Sequence, residues 1–136
     1  MNEPAKDPLF VLEAFEHVHN GQIETYEQMG KLIDDQVRDT EPGMLVHALT
    51  KVSVNADETI YRWLEIFDGA NALEAHLSNP AVTSHIEKMN NGVLSGPTDI
   101  VIYADWSEDQ KEHWRGILAG ANLTFAPMIT GFFVAR

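Results

Sequence analysis

The chain has 136 residues, no cysteine and a formal charge of −12, with 9 basic residues against 21 acidic ones. A chain of this length can bury the core of one domain without disulfides, and it has none to use. The basic residues are scattered from Lys6 to Arg136 with no cluster, which excludes the counterion-releasing patch that nucleic acid requires and argues equally against an anionic membrane surface.

In chain order, residues 1–8 are polar, contain Pro4 and Pro8, and read as a flexible tail. No apolar h-region leads the sequence, so a signal peptide is not expected. No apolar run is long enough to cross a bilayer, and the expected compartment is the cytoplasm. LFVLEAFEHV (9–18) is a β-rich run that Asn20-Gly21 ends as a turn. Ile23, Tyr26, Met29, Ile33 and Val37 fall at helical spacing, predicting a helix from about Gln22 to Asp39, with Thr25 and Gln28 as a capping box and Gly30 as a point of close packing. MLVHALTKV (44–52) and TIYRWLEIF (59–67) predict a hairpin. GANALEAHL gives about two helical turns. Asn79 or Ser78 then caps a helix that starts at Pro80 and ends near Met89. TDIVIYADW (98–106) predicts a fourth strand. Ser107 and Gln110 form a second capping box for a helix that stops at Gly120, and MITGFFVAR (128–136) reads as a last strand.

The order β-α-β-β-α-β, followed by α-β, is the split pattern of a ferredoxin-like α+β sandwich, one antiparallel sheet with helices on one face. In residues 59–67, Tyr61, Trp63 and Phe67 alternate with Ile60, Leu64 and Ile66. Both faces are therefore apolar, and a second copy of the chain is the expected cover for the face without helices.

Glu41-Pro42-Gly43-Met-Leu-Val-His-Ala-Leu and YRWLEIFDGANALEAHLSNPAV resemble the antibiotic biosynthesis monooxygenase (ABM) family. The matching features are Gly21 in the first turn, Glu41 to Leu45 before the second strand, and Tyr61, Glu65 and Phe67 in the third. Ala72 through Leu77 and Ser78 to Pro80 follow. The resemblance covers residues 9–105 and leaves 106–136 as a C-terminal helix-strand extension of the same domain. It implies a dimeric α/β barrel with a ligand pocket in each subunit between helices and sheet. Its known activities include cofactor-free oxygenation of polycyclic phenols, quinol oxidation, haem degradation and isomerisation of a small sugar derivative. Haem-degrading members carry an asparagine, a tryptophan and a histidine at positions that here hold Ala14, His76 and Ile86, so that activity is not expected.

Leu73, His76 and Leu77 share a helix face toward the sheet, which makes His76 the candidate general base. The competing reading is a core histidine bonded to a carbonyl or to Glu65. Val82, His85, Ile86 and Met89 form an inward stripe in which His85 reads as a satisfied flank residue. His76 and His85 are not spaced as a helical metal pair, and no metal site is expected. His17 and His19 read as solvent-exposed turn residues. Tyr61, Trp63 and Tyr103 are candidates for holding a flat ring, His47 for lining the pocket beside Leu45 and Leu49, and Arg62 for meeting an oxyanion. Glu65 reads as a dimer-organising carboxylate that pairs with Arg62, His76 or the partner copy, with Phe67 beside it. Trp106, Trp114, Phe132 and Phe133 read as packing.

The sequence thus points to a cofactor-independent monooxygenase acting on a quinol or polyphenol, with no protein-bound cofactor. Two alternatives remain: a non-catalytic small-molecule-binding or stress-response barrel, and an isomerase or lyase of a small polar metabolite. The last would favour a pocket lined by His47, His76 and Glu65 rather than by aromatic rings.

Overall fold

The computed structural model describes residues 8–134, so the expected tail lies almost wholly outside them. β1 (Phe10–His19) leads through a short 3-10 turn into α1 (Ile23–Thr40), then β2 (Met44–Val54), β3 (Glu58–Phe67), α2 (Ala70–Ser78), α3 (Pro80–Asn90), β4 (Asp99–Tyr103), α4 (Glu108–Ile117) and β5 (Asn122–Phe125). The strands form one sheet in the order β2-β3-β1-β4-β5, antiparallel except for the parallel β4–β5 pair. This is the ferredoxin-like α+β fold with a helix and strand added.

Alternation on β3 decides which face carries the helices. Thr59, Tyr61, Trp63, Glu65 and Phe67 are buried, and the residues between them are only half-buried. α1 meets this face with Tyr26, Gly30, Ile33 and Val37, one stripe at helical period. A Cβ on Gly30 would stand 2.8 Å from Leu49 Cδ2, the close approach expected at that glycine. The open face of the sheet carries Val11, Phe15, Ile60, Leu64 and Ile66, all half-buried. Among the described residues no helix is long and apolar enough to cross a membrane.

The helix starts follow the sequence in two cases of three. Asn79 accepts the Ala81 N–H ahead of Pro80, and Ser107 and Gln110 close a reciprocal box on α4. α1 instead starts at Ile23, behind Gln22, which makes no side-chain cap, and the Thr25–Gln28 box is not made. A bulge between Met44 and Val46 resets the pleat of β2. It leaves Leu45 48 % exposed and separates it from His47 and Leu49, which do share a face.

The last strand is corrected. Residues 128–134 hold no strand, and Ile129 and Phe132 are 92 % and 86 % exposed; residues 135–136 lie outside the described ones. The strand that joins the sheet is β5, which pairs Asp99↔Asn122 through Ile102↔Phe125. A parallel partner for β4 needs a crossover, which α4 supplies, so the first strand-forming residues after its turn take the place. Pro127 has no N–H to extend the ladder. Trp106 packs as expected, edge-on to Phe10 at 5.0 Å and stacked on Trp114 at 5.7 Å. Phe132 does not.

The turn between α1 and β2 fixes the roof helices. A Cβ on Gly43 would lie 2.8 Å from Ala72 Cβ on α2, and Asp68 N–H donates to the Gly43 carbonyl at 2.8 Å. Ala72 has no side-chain freedom to yield, so Gly43→Ala must move α2 or the turn. A loss of about 1–3 kcal/mol is expected in urea unfolding; an unchanged midpoint would contradict this packing.

Candidate functional site

The helices and the covered sheet face enclose a cavity of about 390 Å³. Leu12, Ala14 and Glu16 of β1, His47 of β2, and Trp63 and Glu65 of β3 line the sheet side. Leu73 and His76 of α2 and Val82, His85 and Met89 of α3 line the helix side, and the end of α4 adds Ile117 and Leu118. The extension therefore contributes to the cavity wall.

At its centre stands Glu65. Strand register puts Leu12, Glu65 and His47 in one row across the sheet. His47 Nδ1 bonds Asp34 Oδ1 on α1 at 2.9 Å. His76 Nδ1 bonds both Glu41 oxygens at 2.8 and 3.0 Å, and Asn79 Nδ2 donates to Glu41 Oε2 at 2.8 Å. An ionised carboxylate only accepts, so each ring carries its proton on Nδ1 and turns Nε2 inward. The two Nε2 atoms lie 3.9 and 4.0 Å from the two oxygens of Glu65, too far for hydrogen bonds. Among the described residues no donor bonds the Glu65 carboxyl. Two histidines, each oriented by its own carboxylate, thus flank a largely buried acid that makes no hydrogen bond to the described residues.

Burial pushes the Glu65 carboxyl up to about 7. Burial also works against a charged His76, but the hydrogen bond that it donates to Glu41 and the charge of Glu65 outweigh it and hold the imidazole above its ordinary value. The same bond, with Asn79, outweighs burial at Glu41 and keeps that carboxyl low. At His47 burial prevails over Asp34 and the pKa falls. Burial, with the charges of the other two histidines, takes His85 down to about 4, a neutral ring at neutral pH. Glu16 is raised by burial, only partly offset by donors from Tyr26 and Trp63, both on Oε1 at 2.8 and 2.9 Å.

The structure brings together five of the residues singled out in sequence: His76, His47, His85, Trp63 and Glu65. Trp63 stacks on His47 at 4.2 Å. Tyr61 shares their face but sits in a second core cluster against Tyr26 at 4.3 Å, its hydroxyl donating to Glu27. Arg62 and Tyr103 face the other side of the sheet, where they bond the two oxygens of Glu13 at 3.2 and 2.6 Å. Glu65 and Phe67, expected to organise a dimer, are on the helix-covered face, with Phe67 stacked on Phe10 at 5.2 Å. Arg62 is thus no partner for Glu65. His17 is not a solvent-exposed turn residue but is held between Glu58 at 3.0 Å and Asp99 at 2.7 Å; His19 is exposed. Sequence reasoning missed Glu16, Asp34 and Glu41. Glu16 could have been found, since it continues the buried phase of Phe10, Leu12 and Ala14, the same anomaly that drew attention to Glu65.

No curated protein matches the chain in sequence. Its fold is similar to that of MupZ from Pseudomonas fluorescens, at 17% identity and a TM-score of 0.65, over 93% of each chain. It is also similar to a candidate antibiotic biosynthesis monooxygenase from Caulobacter crescentus CB15, at 22% identity and a TM-score of 0.64, over 75% of this chain and 92% of that one. A third similar structure is Rv0793 from Mycobacterium tuberculosis, at 16% identity and a TM-score of 0.62, over 74% of this chain and 98% of that one. The MupZ match covers more of this chain than the other two. The family model for antibiotic biosynthesis monooxygenase matches residues 8–88, more than half of the chain, and the protein belongs to that family.

Proposed function

We propose that the chain is a proton-transfer enzyme, an isomerase or lyase of a small, largely apolar metabolite that carries a carbonyl group. The observation that supports it is Glu65, without a hydrogen bond to the described residues, facing the inward Nε2 atoms of His76 and His47 at 4.0 and 3.9 Å. In this reading His76 takes a proton from the carbon next to the carbonyl, with Glu41 orienting the ring and stabilising its charge. Glu65, whose proton burial retains up to about pH 7, donates a hydrogen bond to the carbonyl oxygen as negative charge develops there. Return of the proton to another carbon gives isomerisation; loss of a leaving group gives elimination. His47 is the second imidazole of the site and Trp63 its flat wall. Tyr61, Arg62 and Tyr103 have no role in it.

A second reading, a cofactor-independent monooxygenase of an electron-rich aromatic, uses the same base and passes the resulting anion to O₂. It is favoured by the Trp63–His47 stack as a surface for a ring. Both readings include a homodimer through the open sheet face, whose half-buried Ile60, Leu64 and Ile66 would be covered by a second copy. The absence of cysteine fits a reducing compartment, which supports the cytoplasm.

The test is deuterium exchange in D₂O with chelator-treated protein and a panel of cyclic ketones and 1,3-diketones, followed by proton NMR beside an oxygen electrode. Enzyme-dependent loss of the α-proton signal without oxygen uptake is expected. Oxygen uptake with quinols or anthrones and no exchange would replace this reading with the second.

A further inference from the structure

The charge inventory of the cavity is one-sided. Its titratable lining is Glu16, Glu65, His47, His76 and His85, and none of the lining residues is Lys or Arg. Two further carboxylates, Asp34 and Glu41, stand directly behind His47 and His76. Any positive charge on either of these imidazoles is thus already balanced at 2.8–2.9 Å by its own acid. His85 is neutral at neutral pH. The rest of the wall is mostly hydrocarbon, from Leu12 and Ala14 at the sheet to Ile117 and Leu118 at α4.

A carboxylate or phosphate entering this space gives up its water, finds no guanidinium or ammonium to pair with, and opposes any ionisation of the buried acids beside it. An ammonium has carboxyl groups to meet. It would still be stripped of water among apolar side chains, and the place beside Glu65 is flanked by two imidazole edges. An oxygen of an uncharged group meets neither penalty. It fits the gap between Glu65 and the two Nε2 atoms, where a carboxylic acid can donate to it.

We propose that the cavity selects uncharged ligands, seating a carbonyl or hydroxyl oxygen among Glu65, His47 and His76 and an apolar body toward Ile117 and Leu118, and that it rejects carboxylates and phosphates. Glu16 then acts as a specificity residue. Its Oε1 is occupied by Tyr26 and Trp63, and the carboxyl offers an entering anion no positive partner. The proposal rests on the cavity being the ligand site of the function proposed above.

Three probes of nearly one shape test it by calorimetric titration of the full chain at neutral pH: 2-naphthol, 2-naphthoate and 2-(aminomethyl)naphthalene. The uncharged probe is expected to bind at least about tenfold more tightly than either charged one. Glu65→Gln, which keeps the shape but replaces the carboxylic acid donor with an amide N–H, is expected to weaken 2-naphthol binding severalfold and to narrow its preference over 2-naphthoate about threefold or more. Glu16→Gln is expected to act in the same direction. Equal or tighter binding of either charged probe, no binding of 2-naphthol at millimolar concentration, or an unchanged preference in both variants would overturn the proposal. Selectivity without deuterium exchange would instead refute proton transfer and leave the ligand class standing. Exchange with unselective binding would do the reverse.

Discussion

His76→Ala is expected to lower the rate of enzyme-dependent deuterium exchange by about 10²–10⁴-fold, the span of a positioned acid–base group. The substitution also leaves Glu41 with only Asn79 as side-chain partner in a buried place, which carries a stability cost of its own. Circular dichroism and an unfolding curve must therefore accompany the rate. Glu41→Gln separates the two effects, because it keeps the imidazole and removes the charge that holds its proton. His76 lies above its ordinary pKa in part through the bond that it donates to Glu41, so in this variant it titrates lower. The base form is then available at lower pH, and the acid limb of the rate profile moves down. A base active only when neutral and an acid active only when protonated give a bell. The two limbs belong to the His76–Glu65 pair and not to either residue alone. A His76→Ala variant that folds and exchanges at the wild-type rate would remove this residue from the mechanism. A Glu41→Gln variant with lower rate but an unmoved profile would leave Glu41 as a support for the ring only.

Most of the fold was legible because it depends on local pattern. The alternation of 59–67 showed two apolar faces without saying which one the helices cover, and Asn79-Pro80 and Ser107–Gln110 are caps whose chemistry is complete within four residues. β5 was misplaced because its pairing is decided by what α4 can carry it to, and a strand chosen by crossover leaves no mark that separates NLTF from the more apolar GFFVAR. The bulge at Leu45 is likewise a property of the β2–β3 ladder. The site divides along the same line. His76 and Glu65 announced themselves as polar residues in apolar phase. Glu41 and Asp34 did not, since a turn acid before proline and an acid on a polar helix face are the commonest positions for carboxylates; only the tertiary fold brings each within 3 Å of a histidine ring. Arg62 and Tyr103 were credible partners on residue type alone, and strand parity, not chemistry, sets them on the opposite face.

Glu65→Gln is expected to make the protein more stable at pH 8 by about 3 kcal/mol and at pH 5 by only about 1 kcal/mol, while lowering exchange activity. The sign follows from the two states. The unfolded chain releases this proton near 4.5, the folded one near 7. Between those values the unfolded state binds fewer protons, so stability falls as pH rises, and above 7 the full difference of about 2.5 pKa units at 1.36 kcal/mol each has been lost. Glutamine has the same shape and no proton to surrender, so its curve lacks this slope. Urea unfolding of both proteins at the two pH values measures the difference directly. An equal gap at pH 5 and pH 8 would mean that Glu65 finds a partner when ionised, and its place as the acid of the site would fall with it. A residue kept only for packing has no reason to be an acid whose replacement stabilises the chain. One that must hold a proton at neutral pH can exist only in a setting that destabilises its charged form, and the cavity between the two histidines is such a setting.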